Sequence, residues 1–200
     1  MAKTVILARH AESEASASGV VNGDPSRPVG LTGRGREQAR SLRGQLAGER
    51  AGLCVVTEFP RTQQTADIVL ARYDVPRLVL AELNDPPFGP FEGRPIEELR
   101  AWLERHGPAK PLGGESRAAT IRRYAGGLRK LISRTEPVIL VIAHGLPVTC
   151  AVRAARGQDL PLTLETAQVA HAVPHRLSDT EVLRAAVILE RWAEEREQAA

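Results

Sequence analysis

The stretch Pro137-Val-Ile-Leu-Val-Ile-Ala143 constrains the fold more than any other part of the chain. An unbroken run of apolar, largely β-branched side chains cannot alternate between core and water. Both faces of the strand it forms must be covered, which places it inside a parallel sheet with helices above and below. Three weaker runs share that character: Thr4–Ala8, Leu53–Thr57 and Arg77–Ala81. Helical patterns lie between them. Gly33–Gly48 follows Thr32 as an N-cap. Thr62–Tyr73 puts Ala66, Val69, Leu70 and Tyr73 on one face. Pro95–His106 carries proline in its first turn, and Ser116–Arg134 follows Gly113-Gly114-Glu115. Ser178-Asp179-Thr180-Glu181 has the capping-box form and opens a last helix to about Glu195. Strand alternating with helix predicts an α/β fold, a three-layer α/β/α sandwich around a mostly parallel sheet. Gly19–Gly30 and Asn84–Pro95, rich in glycine and proline, are loops. With 200 residues and no internal repeat, residues 1–200 read as a single domain.

Composition removes several functions. The chain is 42% hydrophobic and 26% charged, the balance of a globular protein. No apolar run approaches the ~18 residues of a membrane span. The first one ends at Arg9-His10, too early for a secretory signal, so the expected compartment is cytoplasmic. A net charge of +3 with 4% aromatic residues argues against a nucleic-acid partner. Cys54 and Cys150 lack CxxC spacing and read as core thiols. His171 and His175 flank Pro174, which speaks against a helical metal pair. Gly33-Arg34-Gly35 has no third glycine and is not a dinucleotide fingerprint.

What remains sits just past strand ends, where open α/β sheets bind ligands. Arg9-His10 follows the first strand, Arg61 the second, and His144-Gly145 the apolar run. Two guanidinium forks suit the oxygens of a phosphoryl group. A histidine can attack phosphorus or donate a hydrogen bond to it, and Gly145 permits close backbone approach. Among 27 basic residues only Lys3, Lys110 and Lys130 are lysines.

These residues fall within motifs that resemble those of the histidine phosphatase (phosphoglycerate mutase-like) superfamily. Leu7-Ala8-Arg9-His10-Ala11-Glu12-Ser13 resembles its Arg-His-Gly-Glu signature. Leu31-Thr32-Gly33-Arg34-Gly35-Arg36-Glu37-Gln38-Ala39 and Arg61-Thr62-Gln63-Gln64-Thr65-Ala66 resemble its next two motifs. Phe88-Gly89-Pro90-Phe91-Glu92-Gly93, Gly114-Glu115-Ser116 and Ala143-His144-Gly145 complete an ordered set. The resemblance implies a phosphoglycerate mutase-like fold and a histidine acid phosphatase-like phosphomonoesterase. His10 would be the nucleophile and become phosphorylated. Arg9, Arg61 and His144, with Gly145 and Ser16, would hold the phosphoryl oxygens. Asn22 and Gly23 would contact the rest of the substrate. No metal and no cofactor are implied, because the arginines take over charge neutralisation.

The leaving alkoxide needs a proton from a carboxylic acid. The resemblance places that acid four residues before the loop glycine, at Asp85; Glu82, seven before it, is the alternative. Ala11 stands for the usual glycine, Ser16 for an asparagine and Phe91 for a tryptophan. Three activities follow: a phosphomonoester hydrolase, a phosphoglycerate mutase-type transferase, or an inactive phospholigand-binding module. The short segment between Glu82 and Glu115 favours the hydrolase. The substrate would be a small phosphorylated metabolite or a phosphoprotein, and the sequence selects no oligomeric state.

Overall fold

The computed structural model describes residues 3–106, 110–160 and 169–198. Its sheet contains β1 Thr4–Arg9, β2 Leu53–Val56, β3 Arg77–Val79, β4 Val138–Ala143 and β5 Pro174–Ser178, in the order β3-β2-β4-β1-β5. The first four are parallel, and β5 pairs antiparallel with β1 at the edge. The helices among the described residues are α1 Glu14–Ala17, α2 Gly33–Gln45, α3 Pro60–Val69, α4 Ile96–His106, α5 Arg117–Ile132, α6 Gly145–Ala155 and α7 Asp179–Gln198.

The apolar run forms β4, between β1 and β2. Its side chains alternate between two cores, as the pleat of a strand requires. Ile139 and Val141, with Val5 and Leu7 of β1, join the core under α5, α6 and α7. Leu140 and Ile142, with Ile6 and Ala8, join the core under α2 and α3. The result is a three-layer α/β/α sandwich with a mostly parallel sheet. Cys54 and Cys150 are buried free thiols, both pushed up to about 12 by burial. Helix starts follow local chemistry. Thr32 Oγ1 accepts from Gly35 N at 2.9 Å and Ser116 Oγ from Ala119 N at 3.2 Å. Ser178 and Glu181 form the reciprocal capping box, with Ser178 N donating to Glu181 Oε2 at 2.8 Å and Glu181 N to Ser178 Oγ at 3.3 Å.

Two elements exceed the sequence expectation. β5 is a short polar strand, Pro-His-Arg-Leu-Ser, with a single buried residue, Leu177. It has no apolar alternation to read and gains its register from β1 alone. α6 was not expected as a helix because ten of its eleven residues are buried, which erases the polar face that marks a helix. One boundary also matters. α3 begins at Pro60, so Arg61 lies within its first turn, not ahead of a helix starting at Thr62.

The two glycine-rich loops do not hang free. Val21, Phe91 and Leu99 form a third small core, with Phe88, Ile96 and Trp102 packed against it. Loop and α4 thus make a cap over the carboxyl ends of the strands. At Gly89 the backbone is left-handed (φ +59°), and an added Cβ would lie 2.1 Å from the Leu112 carbonyl oxygen. A second close approach ties α2 to the segment after β1: a Cβ on Gly35 would lie 2.0 Å from Glu12 O. Gly35→Ala should therefore lower stability by about 1–3 kcal/mol through overpacking, seen as a lower urea midpoint at unchanged m value.

Candidate active site

Parallel register builds the centre of the site. Arg9 pairs with Ala143, so the residues that follow, His10 and His144, emerge side by side. His10 N donates to Ala143 O at 2.8 Å, and the two imidazole centroids lie 5.4 Å apart. After β1 the chain turns to the face of α2 and α3; after β4 it turns to the face of α6 and α7. Divergence of two neighbouring connections opens a crevice at the carboxyl ends of the strands.

Arg61, 3% exposed, enters this crevice from the first turn of α3 and closes it. Its Nε donates to His10 Nε2 at 3.1 Å. Nη1 donates to Asn22 Oδ1. Nη2 donates to Asn22 O at 3.0 Å and to Asp85 Oδ2 at 2.9 Å, and lies 3.1 Å from His144 Nδ1. The bonds assign the tautomer of His10. Nδ1 lies 2.7 Å from Ala11 O and must carry the proton, leaving the Nε2 lone pair to accept from Arg61 Nε. For His144 the assignment comes through threonines. Thr62 Oγ1 donates to Phe59 O at 2.9 Å, so Thr57 Oγ1 donates to Thr62 Oγ1 at 3.0 Å and accepts from His144 Nε2 at 2.9 Å. His144 Nδ1 then faces Asp85 Oδ2 at 3.1 Å.

Arg9, His10, Ser16, Asn22, Arg61, Asp85 and Gly145 line one cavity of about 470 Å³. His144, fully buried, reaches it through Arg61 and Asp85. Ser16 Oγ bonds Ser13 Oγ at 2.8 Å at the rim. Two candidates lie elsewhere. Glu82 sits on a short 3-10 turn, Ala81–Leu83, and pairs with Lys130 instead of lining the cavity. The turn ends the third strand early and rotates Glu82 toward α5. Gly23 lines a neighbouring cavity, and its N–H is spent on Glu92 Oε2 at 2.8 Å.

A family model described as the histidine phosphatase superfamily (branch 1) matches residues 5–188. The chain belongs to the histidine phosphatase superfamily. The Escherichia coli K12 protein named adenosylcobalamin/alpha-ribazole phosphatase is 33% identical over 147 residues, which is 69% of this chain and 71% of that one. A Brucella melitensis 2,3-bisphosphoglycerate-dependent phosphoglycerate mutase is 29% identical over 174 residues, 78% of this chain and 83% of its own. Among solved structures, the alpha-ribazole phosphatase from Shigella flexneri has a TM-score of 0.75 at 27% identity, covering 86% of this chain and 89% of that one.

The residues that hold this histidine phosphatase superfamily site in shape come partly from the motifs, as Glu92 and Glu115 do, and partly from outside them, as Arg123 and Thr57 do. Arg123 Nη1 donates to the carbonyls of Glu82 (2.9 Å) and Asn84 (3.0 Å), while its Nη2 pairs with Glu115 at 2.7 Å. That clamp fixes the loop presenting Asp85. Glu92 bonds Gly23 N and Phe88 N, stapling the two cap loops together. Thr57 orients His144. The spacing of strand ends points to arginine and histidine, but none of these supporting contacts has a sequence period.

Electrostatics follow from burial. Burial pushes the His10 imidazole well below its ordinary range, and Arg61, His144 and Arg9 push it further. Burial opposes ionising Asp85, but His144 and Arg61 outweigh it and hold the carboxyl well below the usual carboxylate range. His144 is lowered by burial, with Asp85 pulling the other way; the two share Nδ1–Oδ2 contact and titrate as a pair. The nucleophile candidate is therefore neutral where an ordinary histidine would be half protonated. In a pH titration followed by NMR, His10 ring resonances should show no midpoint near 6.5 and should remain those of a neutral Nδ1–H tautomer at pH 6.

Proposed function

We propose that the chain is a phosphomonoester hydrolase that works through a phosphohistidine on His10, without a metal. One observation carries this reading: a neutral His10 holds its unprotonated Nε2 against Arg61 Nε at 3.1 Å, in a cavity that Arg9, Arg61 and Asp85 also line. Positioning and charge neutralisation are most of what phosphoryl transfer requires of a protein.

A phosphomonoester dianion seats its oxygens between Arg9 and Arg61. His10 Nε2 attacks phosphorus in line with the ester oxygen, and the P–O(alkyl) bond breaks. The departing alkoxide takes a proton from Asp85. Asp85 is a carboxylate in the free protein, paired with Arg61 at 2.9 Å. A phosphoryl dianion engages Arg61 and adds negative charge beside the carboxyl; both changes raise its proton affinity, and Asp85 takes up one proton from solvent as the substrate binds. Water then attacks the phosphohistidine, gives a proton back to Asp85, and releases inorganic phosphate.

The outer wall of the cavity favours hydrolysis over a mutase. Val20, Val21, Phe88, Ile96 and Leu146 line it, with Arg100 as the cation beyond Arg9 and Arg61. A phosphoglycerate mutase must hold a carboxylate and a second phosphate while the intermediate persists. An apolar patch of this kind suits instead a phosphomonoester whose alcohol carries an apolar or ring-bearing group. The relative named adenosylcobalamin/alpha-ribazole phosphatase supports a small phosphorylated metabolite as substrate. A binding module would not need an unprotonated imidazole nitrogen held beside a guanidinium in the cavity.

Hydrolysis of p-nitrophenyl phosphate should persist in excess chelator and be abolished in His10→Ala. Turnover that the mutant retains would refute the assignment. With His10 neutral and Asp85 needing a proton, kcat/KM should hold or rise from pH 7.5 to 5.5; a fall centred near 6.5 would contradict it. Asp85→Asn should slow alkyl phosphates by ~10²–10⁴-fold, the usual worth of a general acid, and slow p-nitrophenyl phosphate much less, because nitrophenolate leaves without a proton.

A further inference from the structure

His171 lies outside the motifs that define the site, yet it lines the same cavity as His10, Arg9 and Arg61. Its ring centroid is 5.5 Å from that of His10, nearly the separation of His144 on the other side. The sheet explains the symmetry. β1 lies between β4 and β5, His144 follows β4, and His171 precedes β5 through a bridge to Arg9. Ala172 N donates to Arg9 O at 2.9 Å. Three imidazoles therefore stand in a row across the ends of three adjacent strands, with the nucleophile in the middle.

Two features mark His171 as placed rather than incidental. Its Nε2 is buried with no hydrogen-bond partner among the described residues, as is Nε of neighbouring Arg9. Native folds rarely leave such capacity unused away from functional sites. The next residue, Ala172, has φ +54° and is the one non-glycine with positive φ among the described residues. Backbone strain of that kind gathers where a side chain must be presented.

We propose that His171 is a further substrate-binding residue, hydrogen-bonding an oxygen of the bound phosphomonoester from the β5 side of His10, opposite His144. This inference rests on the phosphomonoesterase reading. Burial, helped by Arg9, pushes the imidazole down to about 4, so His171 offers a hydrogen bond without adding a further positive charge to those of Arg9 and Arg61 beside the nucleophile. Asparagine keeps an N–H donor of similar reach, and alanine removes it.

The experiment compares wild type, His171→Ala and His171→Asn in p-nitrophenyl phosphate turnover and in inhibition by inorganic phosphate, with thermal midpoints alongside. A contact made equally in ground and transition states moves KM and leaves kcat. In His171→Ala, KM and the phosphate inhibition constant should rise on the order of tenfold, the worth of one hydrogen bond. His171→Asn should recover most of that loss at an unchanged thermal midpoint. KM and inhibition constant within twofold of wild type in His171→Ala would overturn the inference. So would a joint fall of kcat and thermal midpoint in both variants at constant KM, which marks a structural role. A wild type that neither turns over the ester nor binds phosphate would overturn the phosphomonoesterase reading and this inference together.

Discussion

A guanidinium cannot be taken out of water unless its charge and its donors are met, and Arg61 is 3% exposed. That requirement organises the site. Four of the fork's five donors are met by His10, Asn22 and Asp85, with His144 within reach of Nη2. These partners arrive from β1, the cap loop after α1, the loop after β3 and β4. Removing any of them leaves part of a buried cation uncompensated, so the catalytic geometry and the local stability of the cap depend on the same contacts.

The electrostatics serve two purposes at once. Positive charge around His10 disfavours its protonation, which keeps the lone pair available. The same charge draws in a phosphoryl dianion. Asp85 completes the balance: its carboxylate pairs with Arg61 at 2.9 Å. Rigidity comes from less conspicuous groups. Glu115 acts through Arg123 on the carbonyls around Asp85, and Thr57 with Thr62 pins His144. The arrangement resembles a frame in which charged residues meet the ligand and polar, uncharged or internally paired ones hold them still.

Much of this was readable from residue order. The β4 run announces a strand covered on both faces, and Thr32, Ser116 and Ser178 announce helix starts. Arg9, His10, Arg61 and His144 could be picked out because all four follow strand ends. Three things were not readable. β5 has one buried residue and no alternation, so its place came only from pairing with β1. Asp85 and Glu82 have the same chemistry three residues apart, and only the 3-10 turn decides which faces Arg61 and which faces Lys130. His171 looked like half of an unpromising histidine pair, because its neighbour in space, His10, is far away in sequence.

By itself the sequence determined the layered α/β fold and the placing of Arg9, His10, Arg61 and His144 together at the strand ends. Both rest on short-range signals: hydrophobic period, capping residues, and polar groups at fixed offsets from strand ends. Tertiary structure decided which carboxylate meets Arg61, which tautomers the two central histidines adopt, and that a third imidazole stands beside the nucleophile. Those outcomes depend on register between strands and on turns that aim individual side chains. Such long-range geometry arises only when the whole chain packs, and no local pattern encodes it.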